Sequence, residues 1–388
     1  MKDSTSIIHE ILLAKNPIKV FESYMDKLPG AKFLLFNIGE SQFQPICGDS
    51  KFGKYSIVEL GNYKNTVVLE KNAIIKGDNY ALKVNQCMDF DSNVIGAWKN
   101  VVFDKKEDSD LMNMLLFIKE NGKSLSCTPY LFESGANYFD IEKEVIYRNL
   151  LAFSILDYIN KSELKKKHFI LDSSVYVLAD ERWNELVKLE VEIKTNPVDR
   201  YEYIYCLLLK TFYIKHSSKK SIDNKILQLL DSINNEIFSY WENELVLCYL
   251  FLRGDKSVEK FFGGVQVNAK DIFRKLRGMA WDLFHIRCLE MYMGERNCKQ
   301  SFTYLHSFCS ADRGILEIVK LNPIIRMAFY NGVSVILHEK NIFNLCKHLD
   351  IYGILSPYAN KRKEMCMKTD YKELAERFEK DVLSIMKQ

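Results

Sequence analysis

Apolar residues recur along this chain with two spacings, and the change between them separates a β-rich start from a helical remainder. Residues 1–25, MKDSTSIIHEILLAKNPIKVFESYM, predict an amphipathic helix that opens after Ser and Thr and carries charges throughout, without the unbroken apolar stretch of a signal peptide. From about residue 31 to 103 the apolar runs are short, AKFLLFNI, YSIVEL, NTVVLE and NYALKV, with Gly, Asn and Asp between them. This pattern predicts a small antiparallel sheet. From about residue 110 a helical period dominates, in DLMNMLLFIKEN, EVIYRNLLAFSILDYIN, ERWNELVKLEVEI, RYEYIYCLLLKTFYI, DNKILQLLDSINNEIFSYW and DIFRKLRGMAWDLFHIRCLEMYM. Further strands are expected at NVVFD (100–104), HFILDSSVYVL (168–178), SFTYLHSF (301–308) and GVSVIL (332–337). Strands set between helices predict an α/β arrangement with a parallel sheet. No internal repeat and no low-complexity linker marks a boundary.

Composition adds few constraints. A chain of 388 residues exceeds what one hydrophobic core usually serves, so more than one module is expected. With 47% hydrophobic and 27% charged residues it has the balance of a globular protein. The formal charge of +3 does not by itself argue for a nucleic-acid or membrane partner, and no apolar run approaches the roughly 20 residues that cross a bilayer. Ten cysteines occur without a CxxC pair, and the seven histidines form no HxxxH or HExxH arrangement. Free thiols in a reducing, cytoplasmic setting are expected, and neither a disulfide framework nor a zinc site.

In an open parallel sheet, function collects beyond the carboxyl ends of the strands, which directs attention to acids that terminate apolar strands. NVVFD ends in Asp104, and CTPYLFESGANYF carries Glu133 in an apolar setting. RGMAWDLFHIRCLE places Asp282 within an apolar helix, and TYLHSFCSADRGILEI places Asp312 just past a strand. An Asp among Trp281, Leu283 and Phe284 is costly to bury uncompensated.

The run Ser310-Ala311-Asp312-Arg313-Gly314-Ile315-Leu316 resembles the PIN-family segment in which Ser or Thr, one residue, Asp and an apolar residue follow the last-but-one strand. Ala280-Trp281-Asp282-Leu283-Phe284-His285 is similar to that family's helix with an Asp, an apolar residue and often a His. The resemblance implies a PIN-like parallel sheet flanked by helices. It also implies four acids, in the order Asp, Glu, Asp, Asp, that bind Mg²⁺ or Mn²⁺ to cut RNA or, more rarely, DNA. In this chain the order is met by Asp104, Glu133, Asp282 and Asp312, with Ser310 hydrogen-bonding a carboxylate or metal-bound water. The family's Asp-Thr-Asn after the first strand is absent here, where Asp104-Lys105-Lys106 stands. The alternative first pair is Asp172, in HFILDSSVY, with Glu202. The expected division is a β-rich accessory module over 1–95, a PIN-like nuclease domain with a helical insertion over 96–345, and a helical tail over 346–388.

Hard cations select carboxylate oxygens, and a carboxylate cluster without one would be raised in pKa by mutual repulsion. Gly278, four residues before Asp282, leaves room on the same helical face. Lys165-Lys166-Lys167, Lys219-Lys220 and Lys361-Arg362-Lys363 are candidate phosphate contacts, with Arg287 and Arg313 nearer the acids. Each feature has a plainer explanation: an Asp after a strand commonly caps a helix, Asp282 pairs with Arg277 or His285, Glu133 precedes a turn, and lysine runs are solvated faces. Three functions compete: a metal-dependent endoribonuclease, with a toxin or phage-defence role implied by resemblance and an inhibitory or sensor partner; a catalytically inactive PIN-like nucleic-acid or protein binder; and an unrelated helical interaction protein.

Overall fold

The computed structural model describes residues 3–36, 38, 49–77, 82–136, 141–195, 201–299 and 302–386. It is an α/β structure of two compact units. Unit 1 comprises Met1–Leu189, Arg287–Asp312 and Pro323–Glu339, and unit 2 comprises Glu190–Ile286, Arg313–Asn322 and Lys340–Gln388. No helix among the described residues is long and apolar enough to cross a membrane.

The chain runs through α1 (Ser4–Leu13), α2 (Pro17–Tyr24), β1 (Lys32–Leu35), β2 (Ser50–Phe52), β3 (Tyr55–Glu59), β4 (Val67–Glu70), α3 (Lys71–Lys76) and β5 (Val84–Phe90). Then follow α4 (Ser92–Phe103), α5 (Ser109–Glu120), β6 (Ser124–Ser126), α6 (Thr128–Ala136), α7 (Lys143–Tyr158), α8 (Lys161–Lys165) and α9 (Ser173–Thr195). Next come α10 (Glu202–Ser217), α11 (Ile222–Ser232), α12 (Glu242–Arg253), α13 (Glu259–Phe262) and α14 (Ile272–Lys299). After them stand β7 (Thr303–Ser310), α15 (Arg313–Leu321), β8 (Ile324–Tyr330), β9 (Val333–His338), α16 (Ile342–Leu345), α17 (Ile351–Leu355), α18 (Ala359–Cys366) and α19 (Tyr371–Met386).

Both sheets lie in unit 1. The order β4-β1-β8-β9 is antiparallel throughout, with Phe33 opposite Leu69 on one side and Ala328 on the other. The order β2-β3-β7-β5-β6 is mixed: β5 is parallel to both β6 and β7, and β3 runs against β7. The turn joining β2 to β3 needs Gly53, whose φ is +58° and whose added Cβ would lie 1.9 Å from an Asp110 carboxylate oxygen. The early strands therefore pair with late ones and form no module of their own, and the expected boundary at residue 95 falls inside α4, where Ile95 is buried.

Two cores follow from these faces. Phe33, Leu35, Leu69 and Ala328 pack against Ile7, Ile8, Ile11, Leu12 and Phe21 from α1 and α2. On the mixed sheet, Tyr55, Ile57, Met88, Phe90 and Cys309 pack against α4, α5 and α7. Trp98 lies at the centre of this second core, 1% exposed, its indole nitrogen donating to the Ala152 carbonyl at 2.7 Å and its ring edge-on to Phe169. Trp98→Ala is expected to cost about 3–5 kcal/mol, read from a urea midpoint; a cost under about 1 kcal/mol would show that the site collapses or is wet. Unit 2 among the described residues is helical: α10 is buried on nearly all sides, and its Tyr203 stacks on Trp241 at 5.2 Å.

Several expected strands are met, in β1, β3, β4, β7 and β9. Two are corrected. NVVFD ends a helix, because Val94, Ile95, Trp98 and Val101 recur at helical spacing behind an Asp91 N-cap. HFILDSSVYVL is irregular up to Asp172, whose carboxylate accepts from the Ser174 and Val175 amides and starts α9. Of the expected strand NYALKV, residues 79–81 lie outside the described residues, as do Cys47, residue 37 and residue 301. The nine described cysteines are all free thiols.

Candidate metal centre at the carboxyl ends of the parallel strands

β5 and β7 run side by side for seven residue pairs, from Val84 opposite Thr303 to Phe90 opposite Cys309. Beyond that point the ladder continues through the Asp91 amide, which donates to the Cys309 carbonyl at 3.0 Å. Two polar tripeptides thus leave the sheet together: Asp91-Ser92-Asn93, opening α4, and Ser310-Ala311-Asp312, leading to α15.

They are joined by side chains. Ser310 Oγ donates to Asp91 Oδ2 at 2.5 Å, and Asn93 Nδ2 donates to the same oxygen at 2.5 Å and to Ser310 Oγ at 3.3 Å. In the other direction the Ala311 amide donates to Asn93 Oδ1 at 3.2 Å, and the Asp312 amide to Ser310 Oγ at 2.9 Å. A hydroxyl offers one donor and two acceptor sites, so these contacts use Ser310 completely. Asp91 Oδ1 accepts from the Ser92 amide at 2.8 Å, which caps α4. Ser92 Oγ donates to Glu133, on α6, and so brings a second carboxylate to the same strand end. Asp91 and Ser310 are buried, whereas Asp312 is exposed.

Comparison with protein-family models, curated proteins and solved structures finds no match.

The four acids expected from the sequence are therefore placed by geometry alone. Glu133 and Asp312 adjoin this strand end, and Ser310 contacts Asp91. Asp104 does not end a strand: it is the C-cap of α4, a helix of 12 residues that spans roughly 18 Å from Asp91. There its carboxylate pairs with Lys99 at 3.3 Å and Arg148 at 3.0 Å. Asp104→Asn is expected to leave any cleavage by this chain unchanged and to cost under about 1 kcal/mol, as partly exposed pairs do; a large loss of cleavage would return Asp104 to the site. Asp282 lies half-buried in the part of α14 that belongs to unit 2, beside Trp281, which stacks on Tyr201 at 4.0 Å. Of the alternative pair, Asp172 caps α9 and accepts from Tyr158 at 3.0 Å, and Glu202 is in the first turn of α10. Asp172 belongs to unit 1 and Glu202 to unit 2. A Cβ at Gly278 would meet nothing within 4 Å, and Arg287 is committed to Glu290 at 3.0 Å.

Asp91 is the residue that the sequence reading passes over. Its signal is present, since Asp91-Ser92-Asn93 stands close to the Asp-Thr-Asn expected after a first strand. The strand before it, VNQCMDF, carries Asn85, Gln86 and Asp89 among its apolar residues and so does not read as buried.

One layer below, Cys87, Asp89 and His306 are each 1% exposed or less. Among the described residues they form the one group of three whose ligand atoms all lie within 4.8 Å. Asp89 Oδ2 meets His306 Nδ1 directly at 2.6 Å, and the Arg296 guanidinium donates to Cys87 Sγ at 3.7 Å. Burial and then the Asp89 carboxylate push the Cys87 thiol well up, which outweighs the pull of Arg296. A protonated thiol beside a guanidinium is a poor cation ligand. The carboxylates of Asp91, Glu133 and Asp312 are the donor type a hard cation takes, since Mg²⁺ is held by one or two carboxylates and keeps several waters, but their oxygens do not all lie within 4.8 Å of one another.

Proposed function

We propose that this chain is a PIN-like endoribonuclease that uses Mg²⁺ or Mn²⁺, with Asp91 in place of Asp104 as the first acidic residue. The observation that carries this is the hydrogen-bonded union of Asp91-Ser92-Asn93 with Ser310-Ala311-Asp312 at the ends of neighbouring parallel strands. With that change the first, second and fourth acids are Asp91, Glu133 and Asp312, all in unit 1, and Asp282, expected as the third from resemblance, belongs to unit 2 and is not counted in this site. A parallel β6-β5-β7 core covered by α4, α5 and α7 is in keeping with a PIN-like sheet.

When bound, a divalent cation lowers the pKa of a coordinated water and neutralises charge on the scissile phosphate. Asp91, Glu133 and Asp312 would hold it. Ser310 and Asn93 fix the Asp91 carboxylate through the two donors on Oδ2, as partners of metal-binding carboxylates do. Ser92 restrains Glu133 in the same manner. The free thiols suit a reducing cytoplasm, and a toxin or phage-defence role comes from resemblance.

A second reading has one observation in its favour. Asp91 is buried and accepts from three residues as a helix cap would, which suits a silent PIN-like protein. The test is incubation of the purified chain with single-stranded RNA in Mn²⁺, in Mg²⁺ and in EDTA. Internal cleavage that stops in EDTA supports the nuclease. No cleavage together with no calorimetric Mn²⁺ binding supports the silent reading.

A further inference from the structure

In unit 2, α16, α17 and α18 are three short helices in succession between Ile342 and Cys366. Among the described residues the exposed Phe and Tyr side chains are Tyr158, Tyr176, Phe302, Phe343, Tyr352 and Tyr358, and the last three fall in this stretch. Tyr352 is 69% exposed. Lys347, Lys361 and Lys363 are exposed in the same segment.

The neighbouring acids are largely occupied. Glu364 pairs with Lys368 at 2.5 Å, Asp223 with His348 at 2.9 Å, and Asp350 caps α17 through the Gly353 amide. Arg362 anchors α18 by donating to Asn234 at 2.5 Å and to the Leu355 carbonyl at 2.8 Å. Lys361, next to it, donates to Asn235 at 2.7 Å and lies 5.6 Å from the Tyr358 ring centre. Exposed rings cost solvation unless a partner covers them, and rings interleaved with lysines match a strand that offers both base faces and phosphates.

We infer that the α16–α18 face of unit 2 binds single-stranded RNA, with Tyr352 and Tyr358 stacking on bases and Lys347, Lys361 and Lys363 meeting phosphates. Charge and stacking chemistry choose a single-stranded polyanion; the choice of RNA rests on the nuclease reading.

The experiment is equilibrium binding of a fluorescent single-stranded RNA to the full chain in EDTA, across a salt series. Lys347→Gln/Lys363→Gln is expected to flatten the slope of log affinity against log salt by about 1.4, at roughly 0.7 per phosphate contact on a single strand. Tyr352→Ala is expected to weaken binding roughly 5- to 100-fold. All three substitutions are at exposed positions, and unchanged thermal unfolding confirms that the variants fold. RNA binding by the parent chain with affinity and slope unchanged in both variants overturns the surface but leaves the nuclease reading standing. Loss of binding in the variants of a chain that neither cleaves RNA nor binds Mn²⁺ supports the surface and removes the nuclease. Absence of RNA binding by the parent chain, or binding only to anionic lipid vesicles, overturns the inference.

Discussion

Asp91→Asn is expected to lower metal-dependent RNA cleavage by at least roughly a hundredfold while leaving the fold intact. The chemical change is small: one carboxylate oxygen becomes an amide nitrogen. Asn serves nearly as well as Asp at a helix N-cap, so α4 keeps its start, and the buried amide beside two former donors sets the stability change at about 1–3 kcal/mol. What is lost is charge, and a hard cation held as proposed would lose the one buried carboxylate among Asp91, Glu133 and Asp312. The amide also turns a donor toward Asn93 Nδ2 or Ser310 Oγ, both of which donate to Asp91 Oδ2 in the parent. Ser310→Ala supplies the graded comparison. Removing a partner of a metal-binding carboxylate costs roughly 10- to 100-fold in metal affinity or activity. Cleavage with Mn²⁺ and calorimetric Mn²⁺ binding are measured together. Full activity in Asp91→Asn would remove Asp91 from the site and the proposed function with it.

A large effect on stability, with a pH dependence of its own, is expected at Glu290→Ala, at about 3–5 kcal/mol near neutral pH. Glu290 is 2% exposed, with His338 at 2.8 Å and Arg287 at 3.0 Å. Burial alone would raise its carboxyl pKa, but His338 and Arg287 outweigh burial and hold it below the usual range. Truncation leaves the buried His338 and the mostly covered Arg287 beside a void. The sign of the pH dependence follows from the depressed value. The stabilisation is fully present above the ordinary glutamate range, near pH 4.5, and is lost as pH falls through the lower folded value. Parent stability should therefore decline on acidification below about pH 4.5, and the variant should show a shallower decline from a lower plateau. Urea unfolding at pH 7 and pH 4 measures both. A variant within about 1 kcal/mol of the parent at pH 7 would show that the three groups contribute little together.

How much of this was legible in the sequence differs from element to element. The helices α5, α7, α10 and α14 follow from apolar periodicity, because one buried face repeats every three to four residues whatever the partner. The strands β1, β3, β4, β7 and β9 follow from short apolar runs between turn residues. Ser310 and Asp312 could be singled out because β7 is recognisable on its own. β5 was not recognisable, since its Asp89 is buried only by meeting His306, 217 residues away. Without β5 as a strand, Asp91 has no strand to end, and the apolar run NVVFD, which is helical, offers Asp104 instead.

Only the tertiary structure decided partners. Periodicity states which face of a segment is buried and is silent on what covers it. The pairing of β1 with β8, the return of β7 to lie parallel to β5, and the 219-residue span from Asp91 to Ser310 all depend on contacts between distant parts of the chain. The chain by itself determined most helical segments, α4 and the start of α9 excepted, and made Glu133 and Asp312 candidates but not Asp91. Long-range strand pairing determined that Asp91, Glu133 and Asp312 share a strand end with Ser310, and that Asp104 is held by Lys99 and Arg148 at the far end of α4.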